Sequence, residues 1–255
     1  MPSLLPPEMH DLIVDFLHDE PGALKACCLA SKSWVHRTRQ HLFANVKFSS
    51  ESRVKLWEET FPDPLNSPAR YTRSLSIRGS QLITFRGRGV PGGWIRAFSG
   101  IVRLHADFVG YAGGTVPLVP LRGLSPTLKS LHMVYWVIPP LSEIFGLMCT
   151  FPLLEDISLV SPGSNSEDGR WNIPLTSPRF TGRLGLDMVG GMRSVVRRLL
   201  ELPSGLHFSK ITMTYVDEDV ESVMNLVSRC SDTLESLSIF YYGSGACFFF
   251  TSFCG

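Results

Sequence analysis

Beyond Tyr71 a short apolar pattern returns at a nearly constant interval, centred on Leu75, Leu104, Leu131, Ile157, Leu184, Ile211 and Leu237. The steps between these anchors are 29, 27, 26, 27, 27 and 26 residues. Around four of them an apolar residue is followed at the third and fifth places by two more: Leu128, Leu131 and Met133; Leu154, Ile157 and Leu159; Phe208, Ile211 and Met213; Leu234, Leu237 and Ile239. Between anchors the apolar period moves from two toward 3.6, as it does where a strand is followed by a returning helix. Three stripes predict such helices: Leu141, Ile144, Phe145 and Met148; Met192, Val195, Val196, Leu199 and Leu200; Val220, Val223, Met224 and Val227. Earlier turns are vaguer, with a short helix expected over Trp94 to Phe98 and irregular chain over Pro117 to Leu124. One strand and one helix cannot bury their own apolar faces, so units of this kind stack into a curved solenoid with a parallel sheet on its concave side and helices on its convex side.

The first 45 residues follow a different rule. Pro6 and Pro7 suit a helix start, and Glu8 just inside meets the positive end of the helix dipole. A helix to about Leu17 places Leu5, Met9, Leu12, Ile13, Phe16 and Leu17 on one stripe. Pro21-Gly22 breaks it, a second helix from about Ala23 to Ala30 is almost wholly apolar or small, and a third from Lys32 to Phe43 sets Trp34, Val35, Leu42 and Phe43 against a basic remainder. A segment of about 40 residues is near the size below which a core seldom suffices alone. These helices are therefore expected to dock on another polypeptide.

Leu5-Pro6-Pro7-Glu8, the spaced Ile13, Leu17, Leu24 and Leu29, and the closing Lys32-Ser33-Trp34 resemble an F-box, the helical module that links substrate receptors to cullin-RING ubiquitin ligases. The resemblance implies that Leu5, Pro6, Glu8, Ile13, Leu17, Leu24 and Trp34 face or support a Skp-family adaptor. Met9-His10 stands where the family usually has Ile-Leu, and Ala30-Ser31 where it usually has Val-Cys. The array after Tyr71 resembles leucine-rich repeats. It lacks their usual ladder Asn, because the corresponding places read Ser80, Val109, Trp136, Pro162, Val189, Val216 and Tyr242. The fold expected is thus multidomain, α followed by α/β: a small three-helix F-box over residues 1–45, a linker or helical cap over 46–70, and an irregular repeat solenoid of about seven units over 71–255. In the connecting segment Leu56-Trp57 and Phe61 suit a cap on the first repeat, and Pro62, Pro64 and Pro68 a stiff chain.

Alternation along each strand turns Ser76, His105, His132, Ser158, Gly185, Thr212 and Ser238 to the concave face. Arg103, Asp107, Asp156, Arg183, Asp187, Lys210 and Thr214 flank them. Small polar groups and mixed charge suit a protein partner and not a phosphate tract. Arg103, His105, Asp107, His132, Asp156, Arg183, Asp187 and Lys210 are the candidate substrate-binding residues.

Bulk properties narrow the class. In 255 residues, 44% hydrophobic content is ample for packed cores, and 24 basic against 23 acidic residues leave a net charge of +1 and no broad field for nucleic acid or an anionic membrane. The six cysteines lack zinc-site spacing and read as reduced thiols, and no apolar run approaches the roughly 18 residues of a membrane helix, which together suggest a cytoplasmic or nuclear protein. Gly87-Arg88-Gly89-Val90-Pro91-Gly92 spells a dinucleotide fingerprint, but Pro91 and a following helix of about one turn suit an inter-repeat loop better. Asp217-Glu218-Asp219 opens like a calcium loop, yet Ser222 stands where Gly is needed and Ser228 where a bidentate Glu is. Arg193, Arg197 and Arg198 read as a solvated helix face. With no catalytic constellation, metal cluster or cofactor motif, the expectation is a non-enzymatic receptor that binds a Skp-family adaptor, through it cullin, and a protein substrate. A leucine-rich scaffold without a ligase link is the alternative. After Tyr242 the phenylalanines at 248, 249, 250 and 253 follow a Gly-Ser-Gly turn with no helix, which fits either a chain that breaks off or a tail folded over the last repeat.

Overall fold

A computed structural model of the chain describes residues 6–63, 65–79, 93–108, 118–124, 126–135, 140–161, 175–188, 192–215, 220–243 and 246–253. Leu5, the Gly87 to Gly92 stretch, Asp217 to Asp219 and the expected ladder places at Ser80, Val109, Trp136, Pro162, Val189 and Val216 lie outside them. Three helices open the chain: α1 (Pro7–Phe16), α2 (Pro21–Ala30) and α3 (Lys32–Leu42). Proline stands in the first turn of α1 and of α2, where its missing N–H is no loss, and the Ser31 hydroxyl caps α3 by accepting from Ser33 N at 3.3 Å. α3 packs on both partners.

The rest is α/β and built on a single sheet. Its strands are β1 (Asn45–Phe48), β2 (Ser74–Arg78), β3 (Arg103–Phe108), β4 (Ser130–Tyr135), β5 (Asp156–Ser161), β6 (Arg183–Met188), β7 (Lys210–Tyr215), β8 (Ser236–Gly243) and β9 (Ala246–Phe253). They lie in chain order, each beside the next, as an uninterrupted solenoid requires. β1 to β8 are parallel, while β9 returns antiparallel to β8 through a hairpin. The seven sequence anchors face one another in register, Leu75 with Leu104, Leu131, Ile157, Leu184, Ile211 and Leu237, and Val46 of β1 extends the row by one. β1 is a strand the apolar spacing did not announce. With α4 (Glu51–Thr60) and a 3-10 turn at Pro68–Tyr71 it makes the segment read as linker and cap into a further strand-and-helix unit.

Covering segments all lie against the anchor side of the sheet: α4, 3-10 turns at Gly93–Ala97 and Val119–Gly123, α5 (Leu141–Met148), α6 (Met192–Leu200) and α7 (Val220–Arg229). One continuous core runs from Phe48 and Val54 to Leu226 and Leu234. Two expectations need correcting here. α7 rolls onto Val223, Leu226 and the following Cys230, leaving Val220 and Met224 of the predicted stripe exposed. Arg198, expected on a solvated face, is 4% exposed, because it sits three residues after buried Val195 and beside buried Leu199, on the side of α6 that meets the core. The opposite face of the sheet carries no helix among the described residues.

Candidate protein-binding surfaces

Inside the helical module Val14, Leu24, Cys27 and Thr38 are buried. Of the described residues of the stripe on α1, only Leu17, just past its end, is half-buried; Met9, Leu12, Ile13 and Phe16 are all exposed, Leu12 at 61% and Phe16 at 87%. Leu29 at the end of α2 is 90% exposed. A helix in a finished globular core turns its apolar stripe inward, whereas α1 turns it outward. The residues that the resemblance assigns to an adaptor divide accordingly. Pro6, Glu8 and Ile13 are exposed, Leu17 and Trp34 half-buried, and Trp34 meets His10 edge-on with ring centroids 5.6 Å apart. Leu24, expected toward a partner, is 1% exposed and belongs to the module's own interior, where α3 packs on α2. It can support an interface and cannot touch one.

A polar cluster also ties α1 to α3. Asp15 accepts from Arg37 Nε at 2.6 Å and Arg37 Nη2 at 2.5 Å, a two-pronged geometry that fits guanidinium to carboxylate, and its Oδ1 lies 2.7 Å from His41 Nε2. These hydrogen bonds hold the Asp15 carboxyl down at about 2, below the usual 3.8. Arg37 Nη1 donates on to Gln40 at 2.9 Å, Gln40 Nε2 lies 3.0 Å from His36, and His36 Nδ1 lies 3.1 Å from the Tyr71 hydroxyl, which accepts from Arg70 at 2.6 Å. A hydrogen-bonded relay thus runs from α1 through α3 to the turn that precedes β2. The links that cross between elements join residues 22 to 35 apart, beyond any local sequence signal.

The open sheet face carries the candidate substrate residues where alternation puts them. Arg103, His105, Arg183, Asp187 and Lys210 are exposed, Asp107, His132 and Asp156 half-buried. Thr214, on the same row as Asp187, is buried. His105 and His132 stand on paired positions with rings stacked, centroids 4.4 Å apart and planes within 17°. Burial lowers the imidazole pKa of both; the charge of Lys47 adds to the effect at His105 and that of His105 at His132, while Asp107 opposes it in each. Asp107 lies 3.4 Å from Arg78. Asp156 serves the backbone: its Oδ1 accepts from Arg183 N at 2.7 Å, in space that a Cβ on Gly182 would fill. The row is therefore partly structural, with Asp156 committed to the backbone and Arg103, His105, Arg183, Asp187 and Lys210 exposed.

Among the described residues no group of three or more His, Cys, Asp or Glu is placed to hold a metal ion, and no helix is long and apolar enough to cross a membrane. Cys27, Cys28, Cys149 and Cys230 are free thiols, and burial pushes Cys149 up to about 11. No protein-family model matches the chain, and no curated protein does. Among solved structures, the crystal structure of a protein from Bacteroides fragilis shares 13% identity at a TM-score of 0.40, over 78% of this chain and 69% of that one.

Proposed function

We propose that the chain is a non-enzymatic substrate receptor: the N-terminal helices act as an F-box that docks on a Skp-family adaptor and through it on cullin. The irregular leucine-rich array holds a protein on its open face for ubiquitin transfer by other subunits in the cytoplasm or nucleus. The observation that supports this reading is the outward apolar stripe of α1, Met9, Leu12, Ile13 and Phe16, together with Leu29. Burying five such side chains is worth roughly 7 to 15 kcal/mol before the cost of association, itself roughly 4 to 15 kcal/mol. The interface works only if most of them contribute. The relay from Asp15 to Arg70 suits a receptor that must present its cargo in fixed geometry.

Co-expression of the full chain with a Skp-family adaptor tests the reading. The wild type is expected to co-purify, and the double variant Leu12→Asp, Phe16→Asp to lose at least about tenfold in recovery with its melting temperature unchanged, since both side chains are exposed. Equal recovery of the two proteins, or none of the wild type, refutes it. If the adaptor is ignored while proteins captured through the open face remain, the alternative of a leucine-rich scaffold without ligase association takes its place.

A further inference from the structure

A groove of about 420 Å³ opens at the β1 end of the sheet, lined by Leu42, Phe43, all four residues of β1, and Arg53, Leu56, Trp57, Thr60 and Phe61. Consecutive strand residues point to opposite faces, so a cavity touching all four must run along the strand's edge. β2 occupies one edge of β1, which leaves the other. Ser74 N donates to Ala44 O at 2.9 Å, and with the parallel register this turns the peptide groups of Val46 and Phe48 toward β2 and those of Asn45 and Lys47 outward. The far wall is the Arg53, Leu56, Trp57 and Thr60 face of α4, spaced at three, four and seven residues. Between them lies an aromatic floor: Trp57 stands 5.8 Å from Phe43, 5.6 Å from Phe48 and 4.9 Å from Phe61 between ring centroids.

We infer that this groove is a peptide-binding site in which an extended, acidic segment of a partner protein adds to the sheet beside β1. The outward N–H and C=O groups of Asn45 and Lys47 supply the main-chain ladder, and alternate apolar side chains of the guest enter the aromatic floor. Charge selects the guest. Lys47 and Arg53 are the two ionisable residues among those lining the groove, both are basic and exposed, and neither forms an ion pair among the described residues. A lysine on an edge strand discourages pairing with neutral or basic strands and rewards a carboxylate. The site lies on β1 and α4, its lining includes none of the exposed stripe of α1, and it does not rest on the ligase reading.

The test uses the full chain and a library of acetylated peptides of about six residues that alternate Leu, Val or Phe with Glu, against the same peptides with Lys for Glu. By fluorescence anisotropy, acidic members are expected to bind and basic ones to bind at least about tenfold more weakly, with affinity falling as salt rises. The double variant Lys47→Glu, Arg53→Glu is expected to reverse that preference while melting with the wild type. In hydrogen exchange the amides of Asn45 and Lys47 gain protection on binding, and peptides N-methylated on the ladder-forming residues lose affinity while those methylated on the alternate residues keep it. Binding by no acidic member, equal binding of acidic and basic peptides, or indifference to the charge reversal overturns the inference. So does a concentration-dependent dimer abolished by that same variant, which would make a second copy of the chain the occupant.

Discussion

Asp15 offers a direct reading of how the helical module is held together. Replacing it with Asn keeps the side chain's shape and removes the charge that Arg37 and His41 meet. The carboxyl sits at about 2 instead of 3.8, roughly 1.8 pH units, and at roughly 1.36 kcal/mol per unit the shift corresponds to about 2.4 kcal/mol. Solvent reaches 34% of that side chain, so screening reduces the stabilisation to about 1 kcal/mol. The folded pKa is depressed, so this contribution is complete above 3.8 and is lost as the pH falls through about 2. Hydrogen exchange of the α3 amides reports opening of the module separately from unfolding of the repeats. Near neutral pH, Asp15→Asn is expected to lower α3 protection by about 1 kcal/mol, and the gap between variant and wild type to close as the pH drops from about 4 toward 2. A gap that is absent near neutrality, or as wide in acid, refutes the assignment of Asp15 as the link between α1 and α3.

Two further outcomes are expected. Leu24→Ala, at a site 1% exposed, should cost about 2 to 5 kcal/mol in urea unfolding, whereas Phe16→Ala and Leu29→Ala should stay within about 0.5 kcal/mol of the wild type; similar losses at all three would mean that the outward stripe is internal. His105 and His132 should titrate below 6.5 by NMR, and because burial opposes their protonation the stability they allow is complete above 6.5 and falls as the pH drops below it; midpoints at or above 6.5 would count against the stacked, half-buried pair.

Apolar spacing alone carried the array from β2 to β8, since an anchor residue must return to the core side at every repeat and a slip of one would turn a whole strand inside out. β1 escaped because aromatic and β-branched residues replace leucine: Phe43, Val46 and Phe48 satisfy the same three-and-five pattern, 29 residues before Leu75. β9 was hidden for another reason. An antiparallel return after Gly243-Ser244-Gly245 breaks the strand-then-helix rhythm, although a Gly-rich turn followed by a β-prone run is a hairpin signal. Which open-face residues are committed to structure was not legible either, because the bond from Asp156 to Arg183 N joins adjacent repeats and depends on Gly182 leaving room. Likewise, periodicity places Leu24 on an apolar helix without saying whether α3 or a partner covers it.

The in-register sheet also sets a length scale. From β1 to β8 there are seven strand-to-strand steps, and at roughly 4.8 Å each the row from Lys47 to Ser238 measures roughly 34 Å. A helix of about 20 residues spans roughly 30 Å. A metabolite or a short loop can therefore engage only a few neighbouring rungs, and a ligand that reads both ends at once must itself be a folded domain or a long rod, its reach graduated in increments of one repeat.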